Sequence, residues 1–578
     1  MSNITDLSAK HLEVLKSRIE ANRAGFKYGP SVGLYWTSPK PFELTASVAR
    51  SCYKNKPVYP EDLDNPASGE KREGRFGWDA LVPSLYDSGH KTPLGHATAH
   101  LVIKASRSAI WSFLHNYIFY ASSNQQSQRY TKMFKAADES SSQVELKADI
   151  IDLNEAILPA FNNPVSEQIY RDSFTKSFKA YKQLAEIIKQ DAKAEFYTRF
   201  KRLEGTQDGE RGLDRRALEI ARYVLPIGTM ANLWYTISLL SAHRLNRYPD
   251  YNTTKESQII ADSILAEWAT KAPENLAILA KKPTVFPYES TAEGRLARTS
   301  PDLERNKAFT LEFDGILNGL SSKLISSTTN LEAVLGTSIR SVLGKTRAEM
   351  LDEQAVDYAL NPATNPSLIH PIDDKLRSPI SMCLYNAVLT FQKKMSHAGD
   401  SQNQRHRTIP GGRPLLSMQY TNNEQDCVIP SLISGNEQAA QIYYKSIRES
   451  FDAINTLMTG GESWENAQYL LPNAFPIRFV ESAPLLFLHS KLRERLCWNA
   501  QEEIWAVSRE ELEQIKKVHP SIGKWIGAPC QIVDFGKKGT AMEGTSLPLS
   551  IGSCPEATDR FCGVRAWEIP IEKWKREI

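Results

Sequence analysis

The stretch ARYVLPIGTMANLWYTISLLSAHRLNR at residues 221–247 returns downstream as AQYLLPNAFPIRFVESAPLLFLHSKLR at residues 467–493. Leu225-Pro226 falls on Leu471-Pro472, His243 on His489 and Arg247 on Arg493, all at one offset and without a gap. Coincident anchors of this kind imply an internal duplication. In each copy a helix is expected to stop before the Leu-Pro pair, because proline disfavours helical geometry in the residue before it. A second long helix is expected to follow.

Upstream of the repeat the first copy is longer, and the extra length includes SEQIYRDSFTKSFKAYKQLAEIIKQ. Its Tyr170, Phe174, Phe178, Tyr181, Leu184 and Ile188 recur every three or four positions, which predicts an inserted helix with a packing role. The polar, proline-punctuated stretch at 271–300 marks the boundary between copies. This predicts an N-terminal domain over 1–285 and a C-terminal domain over 286–578. Runs such as HATAHLVIKAS at 96–106 suggest strands beside the helices, so the expected class is α+β with helix dominant.

With 578 residues the chain exceeds one ordinary core, which suits a duplication. A hydrophobic content of 41% and a charged content of 24% are those of a globular protein. The net charge of +3 excludes the broad basic field that non-specific nucleic-acid binding requires. The polar amphipathic start and the absence of a long apolar run predict a cytoplasmic protein without membrane association. Seven cysteines, an odd number in a large chain, predict reduced thiols.

Two short stretches could carry chemistry. SSNQQSQRY at 122–130 places Ser122, Asn124, Ser127 and Arg129 where a curled loop could aim hydroxyls, an amide and a guanidinium at one anion. By itself such a stretch reads as a solvated loop. The triplet Arg405-His406-Arg407, preceded by Gln402, sets an imidazole between two guanidiniums. Alone it reads as surface charge.

Together these stretches resemble the two ends of one motif, RHRxxSxNExSxRY, of the flavin-dependent thymidylate synthase family. The resemblance extends to GHKTPLGHATAHLVIKAS at 89–106, similar to the family's GHxTPxxHxxFxFxIxxS. It also takes in Ala49-Arg50-Ser51, similar to its AARxS strand but with Cys52 in place of a serine. Gln402 sits at the QxxRHR spacing, and AQEEI at 500–504 resembles the AQxEI helix motif. Most of residues 40–270 and 370–520 are covered. The resemblance implies two tandem copies of that fold, helices packed on a small mixed sheet, forming a pseudo-dimer in one chain.

It further implies FAD-dependent reductive methyl transfer to a pyrimidine nucleotide, with NADPH as reductant and methylene-tetrahydrofolate as carbon donor. By carry-over Thr92, Arg405, His406, Arg407, Asn124 and Gln125 would hold FAD, and Ser122, Ser127, Arg129 and Gln402 the substrate. Arg405, His406, Arg407 and Gln402 would stand at the reacting centre. The family's multi-subunit sites imply a homodimer acting as a pseudo-tetramer.

Departures from the pattern are informative. The first copy has His115-Asn116-Tyr117, or Tyr117-Ile118-Phe119, where RHR belongs, and the second follows Arg407 with TIPGGRPLL, without the serine-arginine grip. Each copy therefore keeps what the other has lost, and a composite site would need both. Gln125 replaces the family glutamate, and two later nucleotide-binding arginines fall on Ser238 and near Ala266, or near Leu486 and Glu513. Losing two charge-assisted contacts at roughly 1.5–3 kcal/mol each weakens deoxyuridylate binding by several powers of ten. Two other outcomes stay open: a flavoenzyme acting on another nucleotide or biosynthetic substrate, and a non-catalytic flavin- or nucleotide-binding relic.

Cys530, Cys554 and Cys562, with His519 nearby, could satisfy a tetrahedral metal, although their irregular spacing favours ordinary buried thiols. His90, His96 and His100 read as scaffold residues, and His243 and His489 as buried polar groups. Trp464, Trp498 and Trp505 are expected to pack a helical layer.

Overall fold

The computed structural model describes the chain apart from residues 1, 64, 66–76, 117–120, 129–155, 246–253, 280–295, 297–298, 370–377, 410, 539–553, 556–560, 571–572 and 574–578. In the first copy α1 (Ser2–Arg23) leads to β1 (Ser31–Thr37), β2 (Thr98–Ser106), α2 (Arg107–Asn116) and β3 (Ser122–Gln125). The long α3 (Pro164–Arg199), α4 (Gln207–Ala221), the first Leu-Pro turn, β4 (Met230–Ser238), α5 (Leu239–Leu245) and α6 (Lys255–Ala269) follow. In the second copy β5 (Ser322–Ser327), β6 (Val388–Ser396) and α7 (His397–Asn403) precede α8 (Glu437–Thr459) and the second Leu-Pro turn. Then come β7 (Pro476–Pro484), α9 (Leu485–Arg495), α10 (Glu502–Val518) and α11 (Pro529–Lys538).

Three expectations are corrected. The segment after each Leu-Pro pair is a nine-residue strand before it is a helix. In β4, Ala231, Leu233, Tyr235 and Ile237 point inward at period two, and the apolar run continuing into α5 hides that alternation. The helix read as an insertion has a shorter counterpart in α8, so the first copy carries an elongated helix plus α4. Ala49-Arg50-Ser51 closes a helix, Pro41–Ser51, and forms no strand.

The first sheet runs β1-β2-β4-β3 and the second β5-β6-β7. Every pair within them is antiparallel, so the sheets are antiparallel rather than mixed. The central ladders correspond: Ser106 pairs with Met230 at the end of β2, and Ser396 with Pro476 at the end of β6.

The chain divides into two compact units that do not follow the copies. One comprises Met1–Thr175, Pro226–Ser300 and Ser450–Leu471; the other comprises Lys176–Leu225, Pro301–Glu449 and Pro472–Ile578. Each unit thus contains one of these two sheets together with the helix-to-proline segment of the opposite copy. In the first unit the amides of Ile227 and Gly228 donate to the carbonyls of Leu471 and Tyr469, at 2.8 and 2.9 Å. In the second the amides of Asn473 and Ala474 donate to the carbonyls of Leu225 and Tyr223, both at 2.8 Å. The exchange is reciprocal.

A matched buried carboxylate sits behind each joint. Glu256, near the start of α6, accepts from the Ser106 amide at 2.7 Å and the Ser106 hydroxyl at 2.6 Å. Glu503, near the start of α10, accepts from the Ser396 amide and hydroxyl, and from the phenol of Tyr223. In the first unit the Tyr469 hydroxyl stands beside Glu256 in the corresponding place. Tyr223 also accepts from the Gln501 side chain, which caps α10. Tyr223→Phe is expected to destabilise the second unit by about 1–3 kcal/mol, because a buried carboxyl loses a donor. Urea denaturation checks this, and a midpoint unchanged from the parent chain would contradict it.

Candidate functional site

In the first unit the signature stretch begins on an edge strand. Ser122 pairs with Thr236 and Asn124 with Trp234 along β4, which leaves Ser122 and Asn124 exposed and Ser123 and Gln125 half-buried on the opposite face. The chain then turns: the Gln126 amide donates to the Asn232 carbonyl at 2.8 Å, Ser127 is half-buried and Gln128 buried. Arg129 lies outside the described residues. Behind the turn, the buried Arg107 donates from Nη2 to the Gln126 carbonyl at 2.9 Å. It sets a cation against the loop that carries Ser127. Arg107 follows Ser106, the last residue of the motif-bearing stretch, and the sequence signal for it is an arginine that starts a helix straight after a buried strand. Thr92 is exposed at the start of a single 3₁₀ turn, Thr92–Gly95.

In the second unit α7 delivers the cationic triplet. Ser396 caps this helix by accepting from the Gly399 amide at 2.9 Å. The chain leaves the helix in a turn that exposes Arg405 and Arg407 and turns His406 inward. The His406 Nε2 accepts from Arg495 Nε at 2.8 Å, and Arg495 Nη2 donates to the Gln402 carbonyl at 3.2 Å. Arg495, on α9, therefore fixes both ends of the turn, a role no local motif announced. The Gln402 amide nitrogen is buried and has no hydrogen-bond partner among the described residues.

Downstream, Arg413 grips the wholly buried Asp400 through Nε and Nη2, each at 2.8 Å, and stacks on Phe479 with its guanidinium 3.6 Å from the ring centre. Beside it Lys393 pairs with Glu481 and Glu511, and Lys491 with Glu481. Asn403 donates to Glu481 at 3.2 Å. Burial disfavours the charged forms, but Glu481 and Glu511 together hold Lys393 above the ordinary lysine range. Burial raises the Glu481 carboxyl, and Lys393, Lys491 and Arg413 outweigh it, leaving Glu481 well below the usual carboxylate range. Three cations meet three carboxylates, so the cluster is neutral.

The family model of the thymidylate synthase complementing protein matches residues 34–274 and 323–521. The chain belongs to the thymidylate synthase complementing protein family. Its model matches twice, once on each copy, so two tandem copies of that α+β fold make up the chain. A relative from Saccharolobus solfataricus named flavin-dependent thymidylate synthase is 27% identical over 215 residues, which is 37% of this chain and 79% of the relative. Another of that name from Sulfurisphaera tokodaii is 26% identical over 37% of this chain and 80% of its own length. A solved structure described as the UMP/dUMP methylase PolB from Streptomyces cacaoi bound with 5-Br dUMP is similar at 18% identity. It matches 45% of this chain and 99% of that one, with a TM-score of 0.28.

In the thymidylate synthase complementing fold of this chain, the expected site residues divide between the units. Thr92, Ser122, Asn124, Gln125 and Ser127 belong to the first, and Gln402, Arg405, His406 and Arg407 to the second. His115 and Asn116, which stand where the first copy lacks RHR, close α2, with His115 packed edge-on to Trp111. His243 and His489 are buried. His519 is corrected: Nδ1 faces Glu332 and Nε2 faces Ser327, each at 3.0 Å, a pairing that takes it out of a thiol set. Among the described residues no helix is long and apolar enough to cross a membrane.

Proposed function

We propose that the chain carries out FAD-dependent reductive methyl transfer to a pyrimidine nucleotide, with flavin-binding cations from the C-terminal copy, 286–578, and the phosphate grip from the N-terminal copy, 1–285. The observation that carries this reading is the complementary retention of one family motif in two copies that both match the family. The donor set suits a flavin. Arg405 and Arg407 present exposed guanidiniums that fit a pyrophosphate, and Gln402 holds a buried amide donor without a partner among the described residues, fit for a ring carbonyl.

When bound, the flavin supplies hydride to the one-carbon unit. His406, clamped by Arg495, positions the cationic turn. Ser122, Ser127 and Arg129 would hold the nucleotide phosphate, with Arg107 adding positive potential behind them, and Thr92, Asn124 and Gln125 would stand at the cofactor. NADPH as reductant, methylene-tetrahydrofolate as carbon donor, a cytoplasmic location and a homodimer forming a pseudo-tetramer belong to the same proposal. The neutral Gln125 in place of the family glutamate favours a second reading, in which the accepting nucleotide differs from deoxyuridylate.

The full chain is expected to purify yellow, to bleach with NADPH and to add one methyl group to a pyrimidine nucleotide, read by mass spectrometry. Product from another pyrimidine nucleotide but none from deoxyuridylate would assign the second reading. A colourless chain that refuses added FAD would defeat both. Arg405→Ala and Arg407→Ala are each expected to weaken FAD binding about ten- to a hundredfold, the loss of one charge-assisted contact, and unchanged flavin titration in both would remove them from the site.

A further inference from the structure

Four of the seven cysteines, Cys497, Cys530, Cys554 and Cys562, line a single small cavity in the second unit, together with Trp498, Phe561 and Trp567. The chain approaches that cavity from three directions: the segment after α9, the start of α11, and the C-terminal segment around Cys554 and Cys562. Cys497, Cys554 and Cys562 are all near enough to bear electrostatically on the Cys530 sulfur. The cavity measures about 10 Å³, the room of one water or one ion. No disulfide joins any of these residues.

Two arginines pack against residues that line the cavity, and one of them, Arg199, also lies 3.9 Å from the Glu195 carboxylate. Arg199, at the end of α3, donates from Nη2 to the Cys562 carbonyl at 2.9 Å and stacks on Trp498 at 5.7 Å. Its like-charged neighbour Arg216 donates to the Asn499 side chain at 2.9 Å. Gly563 allows this approach: it has a φ of +76°, and a Cβ there would stand 2.7 Å from the Arg199 carbonyl oxygen.

We propose that Cys497, Cys530, Cys554 and Cys562 bind one structural Zn²⁺ as a four-thiolate site that fastens the C-terminal segment to the second unit. Binding replaces four S–H protons, released to solvent, with four Zn–S bonds. The centre then carries a net charge of minus two, with Arg199 and Arg216 held nearby on Cys562 and Asn499. Four soft sulfur ligands and no open position favour zinc held in a closed tetrahedral site, without catalytic chemistry. Among the described residues the thiols do not already stand as a ready ligand set, so the ion must draw them together.

The test uses the full chain purified without chelator. Elemental analysis is expected to find about one zinc per chain, falling to none in Cys530→Ser and in Cys562→Ser and unchanged in Cys52→Ser. Because a cage variant can fail to fold, the parent chain is also loaded with Co²⁺. An intense near-ultraviolet thiolate-to-cobalt band, with red d–d bands clear of flavin absorption, would report four thiolate ligands. A parent chain that retains no zinc and gives no thiolate-to-cobalt band overturns the proposal. So does zinc that persists in both cage variants, or iron in its place.

Discussion

Glu481→Leu is expected to destabilise the second unit by about 3–5 kcal/mol, because it leaves Lys393 and Lys491 buried without their shared carboxylate. The first copy shows what that space holds when it is apolar. Matching the paired ends of the strands and the two buried glutamates puts Ile103 at the place of Lys393 and Tyr235 at the place of Glu481. The same matching puts Leu245 at Lys491 and Ile264 at Glu511, and all four first-copy residues are buried. Replacing the four charged residues together by those four uncharged, largely apolar ones is therefore expected to recover most of the loss, since well-packed apolar groups often equal or exceed a buried ion pair. Urea denaturation followed by tryptophan fluorescence checks both. A single variant as stable as the parent, or a fourfold variant no better than Glu481→Leu, would show that the cluster is not a closed electrostatic unit.

The second large effect is on pH. Burial holds the Glu256 carboxyl up at about 7, against the lowering effect of the Ser106 hydroxyl and amide and of Tyr469. Below the unfolded value of about 4.5 the group is protonated in both states, and above about 7 it is ionised in both. Between them the folded chain binds more protons, so its contribution is full at low pH and is lost as pH rises through about 7. The loss amounts to about 3 kcal/mol for a wholly buried group. Glu256→Gln keeps an acceptor for the Ser106 amide and removes the titration. The difference in stability between parent and variant is expected to shift in the variant's favour from about pH 5 to about pH 8. A difference that stays constant would show that Glu256 is not protonated in the fold.

Much of the fold was legible because proline acts locally. The two Leu-Pro pairs fixed the duplication and its register, and the helices do stop before them. The strand after each was hidden because an apolar run that enters a helix masks period-two alternation. Of the candidate site, the sequence shows only what is short and contiguous, as in the cationic triplet. Arg107, Arg495 and the Asp400–Arg413 pair meet their targets through the fold, and no spacing announces them. The thiol set shows the same limit. Cys530, Cys554 and Cys562 stand together in the sequence, whereas His519 pairs with Glu332 and Ser327, and Cys497, distant in sequence from the other three, joins them only in space.

The crossed joints at Leu225 and Leu471 carry an evolutionary consequence. A gene cut between the copies would yield two products, each missing the backbone partners that close its own sheet unit. Such halves would have to find each other to complete either unit, whereas one chain keeps the partners together. Under that constraint neither half has to stay self-sufficient, and erosion in one is tolerated wherever its sibling still supplies the missing part.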